Sequence, residues 1–539
     1  MKNGENYSGP SRRSFLKGIA AAVLISPLLT YCRQEAAKLI VKLTGTNHIL
    51  GHRLWAKDFP KPTKAITTPL LIVGAGISGL SAARQLRKKG ITDFLIIEME
   101  NNAGGNASSG ENKYSKFPLG AHYLPLPNAH DTELMQFLEE EKIITGYSNG
   151  QPVFDETQLS FAPQERLYYK NNWQEGLVPR FGNSPALDDE MNRFFAMMDT
   201  FRQAKGTDGK YFFDIPLSSI SADTNHRQLD TLTMAQWLTD NGVISEELRE
   251  YVNYCCRDDF GLGIEGTSAW AGVHYFAGRK HGATGDVVLT WPEGNARLAN
   301  HLKKYAKDNL SLNLLAHTVT QTDTGLQVLA FDAASKTSVQ INAQNVIMAT
   351  PQFVNNYLMP SRKGFTQNFN YAPWLLATLT LSAKPDEPGY PLCWDNVLYK
   401  AKGLGYIYDQ HQSIKQLHEK TVITYYYSFA GTDTKKSRKE LYKKPVEYWK
   451  NFVLADLETA HPGIKDFTEE IQVHRLGHGM ISPVPGFIFG SDKKNAAQKM
   501  GNNIYFAHSD LAGISIFEEA FHQGINAVNQ LLHETAMDT

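Results

Sequence analysis

The stretch Pro69-Leu70-Leu71-Ile72-Val73-Gly74-Ala75-Gly76-Ile77-Ser78-Gly79-Leu80 decides the fold. Pro69 to Val73 is a short apolar run suited to a buried parallel strand, and the glycines follow at once in the spacing GxGxxG. Gly74 permits the tight turn, Gly76 lets the backbone approach a pyrophosphate, and Gly79 lets helix and strand pack closely. Ser81 to Lys89 then reads as a helix with an apolar inner and a basic outer face, stopped by Gly90; its N-terminus faces the phosphates. Phe94-Leu95-Ile96-Ile97 is the next strand, and Glu98 at its end is placed to accept both ribose hydroxyls. Strand, turn, helix, strand and acid, in that order, predict a Rossmann-like α/β dinucleotide domain.

The rest of the composition bounds the answer. The chain has 539 residues, 54 Lys+Arg against 55 Asp+Glu, a net charge of -1 and 42% hydrophobic residues. Such a chain folds, and it carries no basic excess or stripe for a nucleic-acid surface. At about 150 residues per domain the length suits three or so domains, or two large interwoven ones. Four cysteines cannot form a disulfide framework in a chain this long. The 17 histidines are scattered and neither HExxH nor CxxC occurs, so no metal site is expected; no GxSxG nucleophile elbow occurs either.

Residues 1–32 read as a targeting segment. Ser11-Arg12-Arg13-Ser14-Phe15-Leu16-Lys17 precedes an apolar run from Gly18 to Tyr31 that is too short to span a bilayer and contains Pro27. The paired arginines before Phe-Leu-Lys resemble a twin-arginine export signal, which implies export of an already folded protein to the periplasm by the twin-arginine machinery. Leu28-Leu29-Thr30-Tyr31-Cys32 resembles a loose lipoprotein box, with Tyr31 larger than the usual residue, so Cys32 stands either as a lipid anchor or as an unprocessed cysteine. Residues 33–67 read as a tether or a short packed arm, with the fold beginning near Thr68.

A second group of residues identifies the dinucleotide. Asn101-Asn102-Ala103-Gly104-Gly105-Asn106-Ala107-Ser108 resembles the second glycine pair of the FAD-dependent amine oxidase superfamily, and Phe117-Pro118-Leu119-Gly120-Ala121-His122-Tyr123 is similar to the turn beside the flavin there. Trp291-Pro292-Glu293-Gly294-Asn295, Thr318-Val319-Thr320 and Val346-Ile347-Met348-Ala349-Thr350-Pro351 resemble later segments of the same family, as does Asn503-Ile504-Tyr505-Phe506-Ala507 with Asp510, Glu518, Ala520 and Gly524. The resemblance implies bound FAD, with Gly74, Gly76, Gly79, Glu98, Gly104, Gly105, Gly120, Val319, Asp510 and Glu518 as its binding residues. It also implies a C-terminal helix whose N-terminus points at the flavin. Two interleaved domains follow: an FAD domain from 68–150, 280–352 and 495–535, and an α+β substrate domain from 151–279 and 353–494. Expected elements of the latter are helices at Asp188–Arg202 and Leu232–Asn241 and strands at Leu375–Ser382 and Val422–Tyr427.

The family pattern breaks where catalysis is expected. The strand Trp374–Leu381 carries Thr378 near the place of a usual lysine, Ile514-Ser515-Ile516-Phe517 stands where a tyrosine is usual, and Asn106 replaces a basic residue. Hydride transfer to a flavin needs alignment and exclusion of water more than a base, so the titratable candidates are few: His122 in the flavin turn, His478 in Arg475–Met480, and His508 before Asp510. In Tyr254-Cys255-Cys256-Arg257-Asp258-Asp259-Phe260-Gly261, Arg257 and the two aspartates equally suit a salt-bridged loop or the lining of the substrate cavity, and the cysteines suit buried thiols or a vicinal disulfide. These readings imply an FAD-dependent oxidoreductase taking hydride from a small molecule, an amine or polyamine foremost, with oxygen or a quinone as acceptor. The alternatives are a desaturase or isomerase of an apolar substrate, and a flavin-bearing binding protein without turnover.

Overall fold

The computed structural model describes residues 39–280, 287–385, 388–413, 415, 417–501 and 503–537; the expected signal segment, with Cys32, lies outside them. From Val41 onward the chain forms one compact unit built around two large sheets.

The first sheet is the nucleotide sheet. Its founding strand is Pro62–Val73, paired in parallel with Thr337–Met348 from Pro62 opposite Ser338 to Val73 opposite Met348. Leu95–Ile97 lies on the other side. The far edge of Thr337–Met348 is shared between the antiparallel Gly325–Asp332 and the parallel Ile504–Phe506. Leu70 and Ile72 enter one apolar cluster and Leu71 and Val73 another. Both faces of the strand are therefore covered, which is why the run shows no polar alternation.

The glycine-turn helix runs Ile77–Lys88 and packs against the C-terminal helix Phe517–Met537. At Gly524 an added Cβ would lie 2.2 Å from Ser78 O and 2.8 Å from Ala82 N. Ser81 Oγ donates to Phe521 O at 2.6 Å across the same contact. The two helix backbones thus approach where only hydrogen fits.

The second sheet has eight strands, with the wholly buried Tyr371–Leu381 flanked by Thr468–Ile481 and Thr421–Ser428. A helical layer beside it holds Pro185–Gln203, Met234–Asp240, Glu246–Phe260 and Ala269–Ala277 around a common apolar core. The elements expected from sequence in this region are found with ends shifted by a few residues.

Two expectations change. The tether assigned to 33–67 is structured from Ile40 onward: Ile40–Gly45 is the edge strand of the second sheet, His48–Gly51 and Arg53–Ala56 are short helices, and Pro62 already belongs to the nucleotide sheet. Residues 62–67 are exposed, so no apolar run announces them; backbone pairing with Ser338–Asn342 holds them. Tyr254–Phe260, for which a salt-bridged loop is one of the two readings, forms the last turns of the helix Glu246–Phe260, which Gly261 ends at φ 70°. Cys255 and Cys256 are buried in it as free thiols.

Gly524→Ala is expected to force these two helices apart. Overpacking of this kind costs about 1–3 kcal/mol, and thermal unfolding should show a lower Tm than the wild type.

Candidate cofactor and substrate sites

A cavity of about 1490 Å³ opens along the C-terminal ends of the nucleotide strands, where ligands of open α/β sheets bind. Gly74, Gly76, Glu98, Gly104, Gly105, His478, His508 and Asp510 line it together. Gly74 has φ +100°, and a Cβ there would strike Ala349 O at 2.8 Å; a Cβ on Gly79 would meet Gly74 O at 2.0 Å. These two glycines serve the turn itself. Gly76 differs: its φ of -71° suits any residue, and an added Cβ would meet only Gly105 Cα at 4.0 Å. The space it leaves lies at the N-terminus of the helix Ile77–Lys88, where a pyrophosphate fits.

Glu98 accepts from the backbone N–H of Ala75 at 2.7 Å and of Glu100 at 2.9 Å. Burial raises its pKa against these two bonds, which lower it. Asp510 Oδ2 accepts from Gln352 N–H at 2.8 Å and from the Tyr371 hydroxyl at 2.7 Å, and His508 Nδ1 lies 2.9 Å from Oδ1. Burial alone would raise Asp510, but His508 and these donors together hold it below the ordinary range. His478 stacks on Phe353 at 3.9 Å; burial, then Arg438 and His52, push its pKa down to about 3, so the ring is neutral. Asn106 donates to Gly479 O at 2.5 Å, joining the glycine-pair loop to the second sheet. The mouth is basic, with Lys435, Arg438, Lys439, Lys443 and Arg475 on its wall.

Four other expected residues stand off this wall. Gly120 backs onto the glycine-pair loop, a Cβ there reaching 2.1 Å from Asn106 O, and its neighbour Ala121 faces the cavity instead. Val319 lies beyond an irregularity in strand pairing between Ala316 and Thr318, so Leu314, Leu315 and Ala316 form the wall. Glu518 is buried against Arg279 at 2.8 Å. Thr378 is buried within the second sheet, 3.2 Å from the Thr424 hydroxyl, because the sheet stacks its side chain on a neighbouring strand.

Beyond the Gly120–Tyr123 segment lies a second cluster that sequence reading reached only in part. His122, Tyr123, Tyr254, Asp258, Asp259, Arg279 and Asp395 gather there, each half-buried and close enough to its neighbours to interact by charge or hydrogen bond, and we refer to their common surroundings as a chamber. Tyr123 donates to Asp258 Oδ2 at 3.2 Å and Tyr254 to Asp395 Oδ2 at 3.3 Å. His122 packs against Tyr426 and Tyr123 with ring centroids 4.5 and 4.8 Å apart. Burial lowers its pKa to about 3 against a backbone bond at Gly120. Burial first, then neighbouring carboxylates for Asp258 and Asp259, raises Asp258, Asp259 and Asp395 to about 7. Arg279 stays charged through Glu518 and Asp259 despite its burial. The helical spacing of Tyr254 and Asp258, one turn apart, carries a signal for a shared face; nothing in the sequence links them to Tyr123 or Asp395.

A model of an NAD(P)-binding Rossmann-like domain matches residues 72–140. Tryptophan 2-monooxygenase of Allorhizobium ampelinum is 28% identical over 239 residues, 43% of this chain and 28% of that protein's own length. Wild-type putrescine oxidase bound to putrescine superposes with a TM-score of 0.61 at 17% identity, over 87% of this chain and 100% of that one. A CLA-producing fatty acid isomerase from P. acnes superposes with a TM-score of 0.60 at 16% identity, over 86% and 98%. The fold is the one shared by these solved structures, and its glycine-lined cleft belongs to the part that matches a Rossmann-like dinucleotide domain.

Gly76→Ala tests the fit. With only open space to meet, the added methyl should leave the Tm of the cofactor-free protein unchanged while FAD affinity, read by flavin fluorescence, falls at least about tenfold, the loss expected when a methyl group occupies space that a bound phosphate needs.

Proposed function

We propose that this chain is an exported FAD-dependent oxidoreductase that oxidises a small cationic amine, polyamines included, with oxygen or a quinone as acceptor. One observation supports this above the others: three half-buried carboxylates cluster where the nearby cations are already engaged, Arg279 by Glu518 and Arg257 by Lys402 O. Buried charge calls for a partner, and a protonated amine supplies one. The aromatic walls, Tyr123, Tyr254, Trp394 and Tyr426, suit the same cation. An apolar chain in a desaturase or isomerase would meet those acids only in their protonated form and make no use of their charge.

FAD, when bound, supplies a two-electron acceptor. The chain's own residues hold and ready the substrate. Asp258 and Asp395, each fixed by a tyrosine hydroxyl, bind the ammonium group, and Asp258 Oδ1 receives its proton, leaving the nitrogen lone pair free to assist loss of hydride from the adjacent carbon. Neutral His122 packs beside this position without adding a competing positive charge. The enclosing aromatic rings exclude water.

Anaerobic mixing with a panel of amines, diamines and polyamines should bleach the flavin, and an apolar polyene should not. Bleaching by the polyene alone would overturn the amine reading. Asp258→Asn removes a charged hydrogen bond worth about 1.5–3 kcal/mol; KM for the best amine should rise about tenfold or more with FAD retained.

The raised acids also set a pH dependence. Amine binding needs them ionised, so affinity should strengthen as pH rises from 6 to 8 through about 7. Stability moves the opposite way in the unliganded protein. A carboxyl whose folded pKa lies above its unfolded value stabilises the fold at low pH and loses that contribution as pH rises through the folded pKa. Tm should therefore fall as pH rises from about 4 to about 7 and change little above that, and saturating amine should reduce the fall.

A further inference from the structure

The arm that precedes the nucleotide sheet leaves apolar side chains exposed at the mouth of the cofactor cavity, whose lining includes Trp55. Ile49 is 76% exposed and Trp55 59% exposed, both in the short helices His48–Gly51 and Arg53–Ala56. Trp55 is stacked on His52 with centroids 3.7 Å apart, and His48 lies 4.7 Å from the Tyr442 ring. Tyr442 belongs to the helix Thr434–Lys443, so arm and helix are direct neighbours at the mouth of the cofactor cavity. Lys435, Lys439 and Lys443 recur every four residues along that helix and are exposed on the same mouth. Among the described residues none of the three has an ion-pair partner. The chain as a whole carries a net charge of -1, so this is a local positive face.

We infer that the face made by this arm and the helix Thr434–Lys443 docks on an anionic lipid membrane. Ile49 and Trp55 would enter the head-group boundary, where an amphipathic indole is favoured, while the three lysines meet lipid phosphates. No helix among the described residues is long and apolar enough to cross a membrane, so the contact is peripheral. If Cys32 is the lipid anchor, a further reading on which this one gains support, only seven residues separate it from Ile40, a reach of about 3.5 Å for each. The tether is then short enough to hold this face near the bilayer.

The test uses the FAD-loaded full chain with Cys32→Ser, which removes lipidation from the comparison. A polarity-sensitive fluorophore is attached to Ile49→Cys, or to Ile244→Cys as a control that is 79% exposed elsewhere. With vesicles of 70:30 phosphatidylethanolamine and phosphatidylglycerol, the Ile49→Cys label should shift to the blue and be quenched by lipid-borne quenchers, and the Ile244→Cys label should do neither. Replacing Lys435, Lys439 and Lys443 by Gln should weaken vesicle partitioning by about fivefold for each lysine that reaches the surface, at least tenfold in all, and high salt should act likewise. Equal responses from both labels, no response at Ile49→Cys, or a label already shielded without vesicles would each overturn the inference; the last would mean that the preceding segment of this chain covers the face.

Discussion

The parallel pairing of Pro62–Val73 with Thr337–Met348 joins two segments far apart in the chain, and the geometry of the cofactor cleft depends on it. The pairing ends with Ala349 N–H donating to Val73 O at 2.8 Å, which sets the Ala349 carbonyl against Gly74. Only a residue without a side chain can turn there at φ +100°. The turn directs the helix Ile77–Lys88 along the sheet, and Gly79 and Gly524 then let strand and C-terminal helix close on it. Long-range closure of this kind carries an entropic cost, which the clusters on both faces of the sheet offset.

Two electrostatic environments of opposite sign meet at the Gly120–Tyr123 turn. On one side Ala121 faces a cofactor cavity with a basic mouth; on the other His122 and Tyr123 face a chamber of carboxylates. Such a separation suits an anionic dinucleotide on one side and a cationic substrate on the other. The neutral rings of His122 and His478 let both histidines pack at these walls without disturbing either field.

Legibility followed the range of the interaction. The meeting of Gly74, Gly76 and Glu98 at one cavity was legible because turn, helix start and acid are consecutive, and local backbone sterics place each. Asp510, which follows a strand, lies at the same cavity. Val319 and Glu518 lie off that wall, the first past a one-residue irregularity in strand pairing and the second in a salt bridge to Arg279, and neither feature has a local signal. Residues 62–67 carried no signal, because exposed side chains leave only backbone pairing to hold a strand. Asn106, read as a departure from the family pattern, proves to be a hydrogen-bond link to Gly479 O.

By itself the sequence determined the dinucleotide turn and the order of elements around it, since apolar periodicity and glycine spacing act between near neighbours. The tertiary structure alone decided what surrounds the buried carboxylates. Asp258 from a helix, Asp395 from a strand and Tyr123 from the start of the short strand Tyr123–Pro125 meet because three separate segments pack together. The pKa values of the acids in that chamber arise from burial and from neighbours distant in sequence, which no local pattern encodes.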